Sequence, residues 1–510
     1  VELVPFGRRA LLVRLGDRVD PELLGKVLQL DRWVRQLPGV VETVPAYASL
    51  VVHFDPEAVA PDALVRMVRD APTGPAAAPV GKTHEVPVVY GGEFGPDLAE
   101  VARWAGLPER EVVALHTGTD YLVYMLGFSP GFAYMGSVPE RIAATRLPQP
   151  RPRVPAGSVA VAGRQTGIYP SSTPGGWRIL GRTPLPVFDP DSDPPARFEV
   201  GDRVRFVAVR EADWPAPREA RWEPQGPPLL AVLDGGLLCT VQDLGRAGYR
   251  RYGVPPSGAM DADALREANG VLGNAAGCAA LEFTWPAPVL EALADVEVTL
   301  AGADFAPEVD GRPVPTGQPV RLRRGQVLRF RAPKSGNWGY LAVPGGVQAP
   351  VVLGSCSTHV PSGLGGKVLR RGDVVCGARA IRGVGGRSPK APSGPVRIVP
   401  GPHLTCFQPG ALDQLVRGAY TLSARSDRSG YRLEGPALRH AKTGEILSEG
   451  MVVGAVQVPP SGQPIVLMPD GPTTGGYPVL AVVVDEDLPR LAQKRPGEAV
   501  RFQLAGGGAG

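Results

Sequence analysis

The sequence predicts a mainly β protein preceded by an α+β domain at its N-terminus, on three observations. Of 510 residues, 66 are glycine and 57 proline while aromatics stay at 6%, a balance that favours short strands and turns over long helices. From residue 84 onward, β-branched runs such as VPVVY, YLVYMLGF, SVAVAG and RVRFVAV alternate with Gly or Pro, the pattern of barrels and sandwiches. Helical patterns are few: two in the first seventy residues, one at 96–105, and in the C-terminal half most clearly the stretch 259–273. At roughly 150 residues per domain, the length suggests three or four domains.

Residues 1–70 supply the α+β part. Alternation in ALLVRLG predicts a strand. Asp20 then offers an N-cap and Pro21 a pre-set first turn for a helix burying Leu23, Leu24, Val27, Leu28 and Val34. Pro38-Gly39 stops it, VVETVPAYASLVVHF provides two more strands, and Pro61 opens a second helix with Leu64, Val65, Met67 and Val68 inward. Two layers, helices on a sheet, are the expected result.

Residues 71–83, Pro/Ala/Gly-rich and aperiodic, read as a linker. A first β unit follows over 84–211, interrupted by one helix at 96–105. A Pro-rich spacer at 212–228 separates it from two further β units, 229–383 and 396–507, themselves divided by VGGRSPKAPSGP. An internal echo links the halves: PAGSVAVAGRQTGIYPSSTPGGW at 155–177 and EGMVVGAVQVPPSGQPIVLMPDGPTTGGY at 449–477 share the order Gly, β-branched strand, Gln, Pro turn, hydroxyl residues and Gly-Gly-aromatic. Such a repeat implies related barrels with similar loops in similar places.

Charge is 54 basic against 50 acidic residues, with no like-charged run that would serve nucleic acid or an anionic membrane. No nucleic-acid or membrane partner is expected. Five scattered cysteines without a CxxC pair read as free thiols in a reducing compartment, with no metal site. No apolar run approaches the ~20 residues of a membrane span and the first residues lack a signal-like core, so a cytoplasmic, soluble chain is expected.

Several catalytic motifs fail on inspection. GFSPG at 127–131 has the form of a nucleophile elbow, but Pro130 cannot donate the N–H that an oxyanion needs there, and strand-like residues follow instead of a helix. Gly81-Lys82-Thr83 ends like a phosphate loop whose opening glycine is replaced by Ala76. GLGG at 363–366 lacks the third glycine of a dinucleotide fingerprint.

What remains are Gly/Pro loops rich in polar and aromatic groups. RQTGIYPSSTPGGW brings together Arg164, Gln165 and Tyr169; SDRSGYRLEG offers Asp427, Arg428 and Tyr431; PDGPTTGGY offers Asp470, Thr473 and Thr474. Backbone N–H groups and hydroxyls in such loops suit a carboxylate or amide, and either carboxylate can serve as a general base when partly desolvated. The bland alternative is a set of tight barrel turns in which Asp caps its own backbone. His116, just before YLVYMLGF, is either a group in a barrel mouth or a core histidine.

At these loops the chain resembles a known pair of families. HTGTDYLVYMLGFSPGFAYMG and PRPRVPAGSVAVAGRQTGIYPSSTPGGWRILGRTPL resemble allophanate hydrolase subunit 1, also called the B subunit of 5-oxoprolinase. TVQDLGRAGYRRYGVPPSGAMDADALREANGVLGN, LGSCSTHV, SDRSGYRLEG and VQVPPSGQPIVLMPDGPTTGGYP resemble allophanate hydrolase subunit 2, the C subunit of 5-oxoprolinase. The resemblance spans about 1–210 and 229–507, as in a fusion of two subunits. It implies cyclophilin-like β-barrels in tandem, an ATP-dependent opening of 5-oxo-L-proline to L-glutamate, a third subunit of the lactam-utilisation type, and a small-molecule amide substrate. A homo-oligomer is compatible with it. The competing activities it implies are a urea-carboxylase-type carboxyltransferase module and a non-enzymatic regulator of a histidine kinase. By position it marks His116, Asp427 and Asp470 as catalytic. The substrate-binding set is Arg151, Ser158, Arg164, Gln165, Tyr169, Asp261, Arg428, Tyr431, Gln457, Thr473 and Thr474, with Asp243, Arg246 and Glu282 on the second half's opening motif. Thr173 and Cys356 depart from the pattern, standing where serine and arginine are common; the second removes an expected anion contact.

Overall fold

A computed structural model describes residues 1–72, 74, 78–211, 214, 225–378 and 394–506. Parts of the linker at 71–83, most of the spacer at 212–228 and most of VGGRSPKAPSGP lie outside the described residues.

The N-terminal unit is a four-stranded antiparallel sheet in the order Glu2–Pro5, Ala10–Arg14, Ser49–Phe54, Val40–Pro45. Its first helix, Pro21–Val34, begins where the sequence predicts: the Asp20 side chain accepts from the N–H groups of Glu22 at 2.8 Å and Leu23 at 3.3 Å. The two-layer expectation is corrected by the sheet's second face. Leu11, Val13, Leu50, Val52 and Phe54 point to the helices, whereas their alternate neighbours Ala10, Leu12, Val44 and Val51 share a core with Met451, Val452, Leu467 and Val479 from the C-terminal end of the chain. Because side chains alternate along a strand, burial of all six residues of Ser49–Phe54 requires cover on both sides. The sheet is therefore the middle of three layers.

The first β unit closes into a seven-stranded barrel, ordered Gln165–Ile168, Ala133–Gly136, Asp120–Leu126, Arg203–Ala208, Thr83–Tyr90, Arg178–Arg182, Ser158–Ala162. All its pairings are antiparallel except Thr83–Tyr90 with Arg203–Ala208. Besides the expected helix, found at Leu98–Ala105, a second one spans Glu109–Thr117. Its inward positions are Val112 and His116, one helical turn apart.

The second half holds six- and five-stranded sheets over 228–376 and an eight-stranded sheet over 396–504. The internal echo is a shared substructure. In the first half, Arg151–Val154 pairs with Thr173–Gly175 around the hairpin Ser158–Ala162/Gln165–Ile168; in the second, Glu449–Gly450 pairs with Thr474–Gly475 around the hairpin Ala455–Gln457/Ile465–Leu467. No described helix is long and apolar enough to cross a membrane, and the five cysteines are free.

Candidate active site at the junction of the two halves

The Gly127–Gly131 loop of the first barrel meets the second half directly. Gly131 N–H donates to the Tyr252 carbonyl at 2.8 Å. Gly127 lies against Thr474, where an added Cβ would come within 2.6 Å of the threonine Cβ. Phe128 in this loop (φ 64°) occupies the left-handed region, as does Ser257 (φ 53°) in the second half, whose N–H donates to the Pro469 carbonyl at 3.0 Å; such a conformation is strained and persists only where surroundings impose it. Ser129 is buried in the turn and the strand Ala133–Gly136 follows it.

An aromatic wall stands behind the loop. Phe132 packs edge-to-face on Tyr134, Tyr169 and Trp177 with centroids 4.9, 5.3 and 5.4 Å apart, geometry favoured by the ring quadrupoles. Phe128 covers this group from the solvent side, 41% exposed. Gln165 Nε2 donates to the Tyr47 hydroxyl, and Tyr47 stacks at a tilt on Tyr124, centroids 5.2 Å apart. Burial holds the Tyr47 and Tyr134 hydroxyls well above the usual phenol range, so both remain proton donors, while the Arg146 cation pulls in the opposite sense on each. Arg146, exposed beside Tyr47, Tyr134 and Tyr169, is a group the sequence motifs do not single out. Around the same junction the hydroxyls of Ser129, Ser171, Thr173 and Thr473 are buried without partners among the described residues, which leaves donor and acceptor capacity for a polar ligand.

A second polar cluster lies behind the junction, between the sheets of the second half. Arg428 is buried and donates through Nε to Asp470 at 2.9 Å, through Nη2 to Asp470 at 3.1 Å and to the Gly258 carbonyl at 2.7 Å, and through Nη1 to Glu282. Glu282 also accepts from Met260 N–H and the Tyr340 hydroxyl, each at 2.7 Å. Burial pushes Asp470 up, but Arg428 and His359 outweigh it and hold the carboxyl below its usual value; at Glu282 burial wins and the carboxyl is raised. Asp261 caps the helix Ala262–Val271, accepting from Ala264 N–H at 2.9 Å and from Gln493 at 2.8 Å, and burial lifts it to about 6.

The three expected catalytic groups do not converge. His116 lies inside the first barrel, fully buried, with Nδ1 on the Tyr90 hydroxyl at 2.7 Å, Nε2 on the Thr166 hydroxyl at 3.0 Å and its ring stacked on Phe206. Burial lowers it to about 3, so it is a neutral core histidine with neither nitrogen available for water. Asp427 is exposed and accepts from the N–H groups of Ser429 at 2.7 Å and Gly430 at 3.1 Å, capping its own turn. Asp470 is held as an ion-pair partner of Arg428.

The expected binding residues divide likewise. Gln165, Tyr169, Thr473 and Thr474 reach the junction. Gln457 is buried beside it, donating to Met451 Sδ at 3.2 Å. Arg151 instead forks onto Asp97 at 2.9 and 2.7 Å, Ser158 is buried in the barrel wall, and Arg164 is exposed in a hairpin turn. Arg428 and Asp261 belong to the rear cluster. Tyr431 donates to the Ala492 carbonyl at 2.7 Å and accepts from Trp338 at 2.8 Å, a core role.

The tandem β units that meet at this loop junction correspond to two halves of one known family. The carboxyltransferase domain, subdomain C and D, matches residues 1–198, and subdomain A and B matches 252–504; the chain belongs to the carboxyltransferase-domain family. Its halves are similar to separately encoded proteins. One is the B subunit of 5-oxoprolinase from Bacillus subtilis, 40% identical over 240 residues (43% of this chain, 97% of that protein). Another is the C subunit of 5-oxoprolinase from Escherichia coli, 39% identical over 280 residues (54% and 90%). Urea amidolyase of Lachancea kluyveri is 30% identical over 313 residues, covering 54% of this chain but 17% of that protein. The crystal structure of TTHA0988 superimposes with a TM-score of 0.85 at 40% identity, covering 97% of this chain and 99% of that one.

Proposed function

We propose that the chain is the fused B/C component of an ATP-dependent 5-oxoprolinase, opening the lactam of 5-oxo-L-proline to L-glutamate together with a third subunit of the lactam-utilisation type. The observation that carries this reading is the contact of Gly127 with Thr474, which makes the candidate site a joint product of the B-like and C-like halves. An unstrained lactam resists hydrolysis, and transfer of the ATP γ-phosphoryl group to the amide oxygen makes its carbon attackable by water. The overall reaction consumes ATP and two waters and yields glutamate, ADP and phosphate.

At the junction this chain binds and positions. Gln165, Tyr169 and the Thr473 and Thr474 hydroxyls face the amide, and Arg146 at the rim takes the substrate carboxylate, since Arg151 is already paired with Asp97. The test is glutamate release from 5-oxo-L-proline by this chain mixed with its candidate third subunit, omitting each protein and ATP in turn; release only in the full mixture supports the assignment. The urea amidolyase match favours one second reading, a carboxyltransferase module, which predicts turnover of urea or allophanate instead.

A further inference from the structure

A separate cleft of about 960 Å³ opens where four parts of the chain meet: the helix Pro21–Val34, residues 78–82, the first barrel at Leu126 and 199–202, and Arg251-Tyr252 of the second half. Its size falls within the range of small-molecule sites, roughly 300–1,000 Å³. It shares a wall with the junction, because Leu126 precedes Gly127 and the Tyr252 carbonyl accepts from Gly131 N–H.

The charges in the wall are unequal in their engagement. Asp31 is taken up by Thr43, by Arg251 at 3.1 Å and by Arg35 at 3.4 Å. Asp202 accepts from the Lys82 and Glu199 N–H groups at 2.9 and 3.0 Å and meets His84 at 2.8 Å. That leaves two exposed cations, Arg32 and the Lys82 ammonium, without an ion-pair partner among the described residues, against the single carboxylate of Glu199. Arg35 and Arg251 stand beside them, and Leu28, Val200 and Tyr252 give the same cleft an apolar part. Unpaired cations beside an apolar wall suit a ligand with an anionic tail and a planar or apolar body.

We propose that this cleft binds a phosphate-bearing small molecule of the nucleoside triphosphate class, with Arg32 and Lys82 on the phosphates and Tyr252 beside the base. The proposal rests on the ATP-dependent reading above and answers which protein of the complex holds the nucleotide: this chain, one loop away from the lactam site.

The test is calorimetric titration of the full chain alone with a non-hydrolysable ATP analogue, then with tripolyphosphate and adenosine as competitors. Expected are saturable binding, displacement by tripolyphosphate, and at least tenfold weaker affinity in the double variant Arg32→Gln/Lys82→Gln, whose circular dichroism matches the parent because both residues are exposed and have no ion-pair partner among the described residues. Absence of binding at millimolar analogue, displacement by adenosine but not tripolyphosphate, or unchanged affinity in the double variant overturns the proposal. Binding is read without any third subunit, so failure of the oxoprolinase assay leaves this result separately legible.

Discussion

Gly127 and Thr474, 347 positions apart in the chain, are in contact across the junction, with no room for even a methyl group on the glycine. Gly127→Ala therefore forces the two halves apart at their shared site. Overpacking of this kind costs about 1–3 kcal/mol. The expected result is a lower urea midpoint together with a loss of turnover, and the midpoint alone is partly restored by adding Thr474→Gly, which removes the opposing Cβ. A Gly127→Ala protein with parental stability and turnover contradicts the contact.

Arg428 is the only bridge between Glu282 and Asp470 among the described residues. Arg428→Met leaves two buried carboxylates uncompensated, and removing one partner of a buried ion pair costs about 3–5 kcal/mol. Adding Glu282→Gln and Asp470→Asn to that variant restores much of the loss by removing the charges. Equilibrium urea unfolding of the single and triple variants measures both effects.

Asp261 makes stability depend on pH in a definite direction. Its carboxyl is raised by burial to about 6, so its contribution is fully present below the unfolded value near 4 and is lost as the pH rises through about 6. A rise of about two units corresponds to about 3 kcal/mol. Asp261→Asn, which keeps an oxygen for the helix cap, is expected to gain on the parent by about that amount between pH 4 and 7. A difference independent of pH contradicts the assignment.

His116 acts in the opposite sense. Lowered by burial to about 3, it stays neutral in the folded protein while the unfolded chain takes up a proton below about 6.5; stability is therefore lost as the pH falls from about 6.5 toward 3. His53, also lowered well below its usual value by burial and by Arg250, adds to the same loss. His116→Gln is expected to lessen acid sensitivity while leaving turnover per folded molecule at neutral pH near parental. A large fall in kcat at unchanged stability contradicts a core role.

Local patterns announced much of this molecule. Asp20-Pro21 marks a helix start through side-chain chemistry that acts within one turn, and the 155–177/449–477 echo marks a substructure built twice. What sequence does not carry is which surfaces meet. Alternation in SLVVHF shows two faces but not that the second is covered by residues some 400 positions later. His116 illustrates the same limit: its place in a short helix headed by Pro108 turns it toward Tyr90, Thr166 and Phe206, partners set only by barrel closure. Arg146 lies in no motif, and its place beside three tyrosines depends on the same closure.

The two halves are also tied away from the site: Glu42 accepts from the Gly248 and Arg250 N–H groups at 3.0 Å each and from the Arg250 side chain, Arg251 meets Asp31 at 3.1 Å, and Arg14 meets Glu449 at 2.8 Å. They add to the apolar core that Ala10, Leu12, Val44 and Val51 share with Met451, Val452, Leu467 and Val479. The most direct measurement is ATP-dependent glutamate release with residues 1–211 and 225–510 supplied as two polypeptides alongside the third subunit. A site shared by both halves predicts no release with either half alone and recovery when they are mixed; full release sustained by one half alone contradicts it.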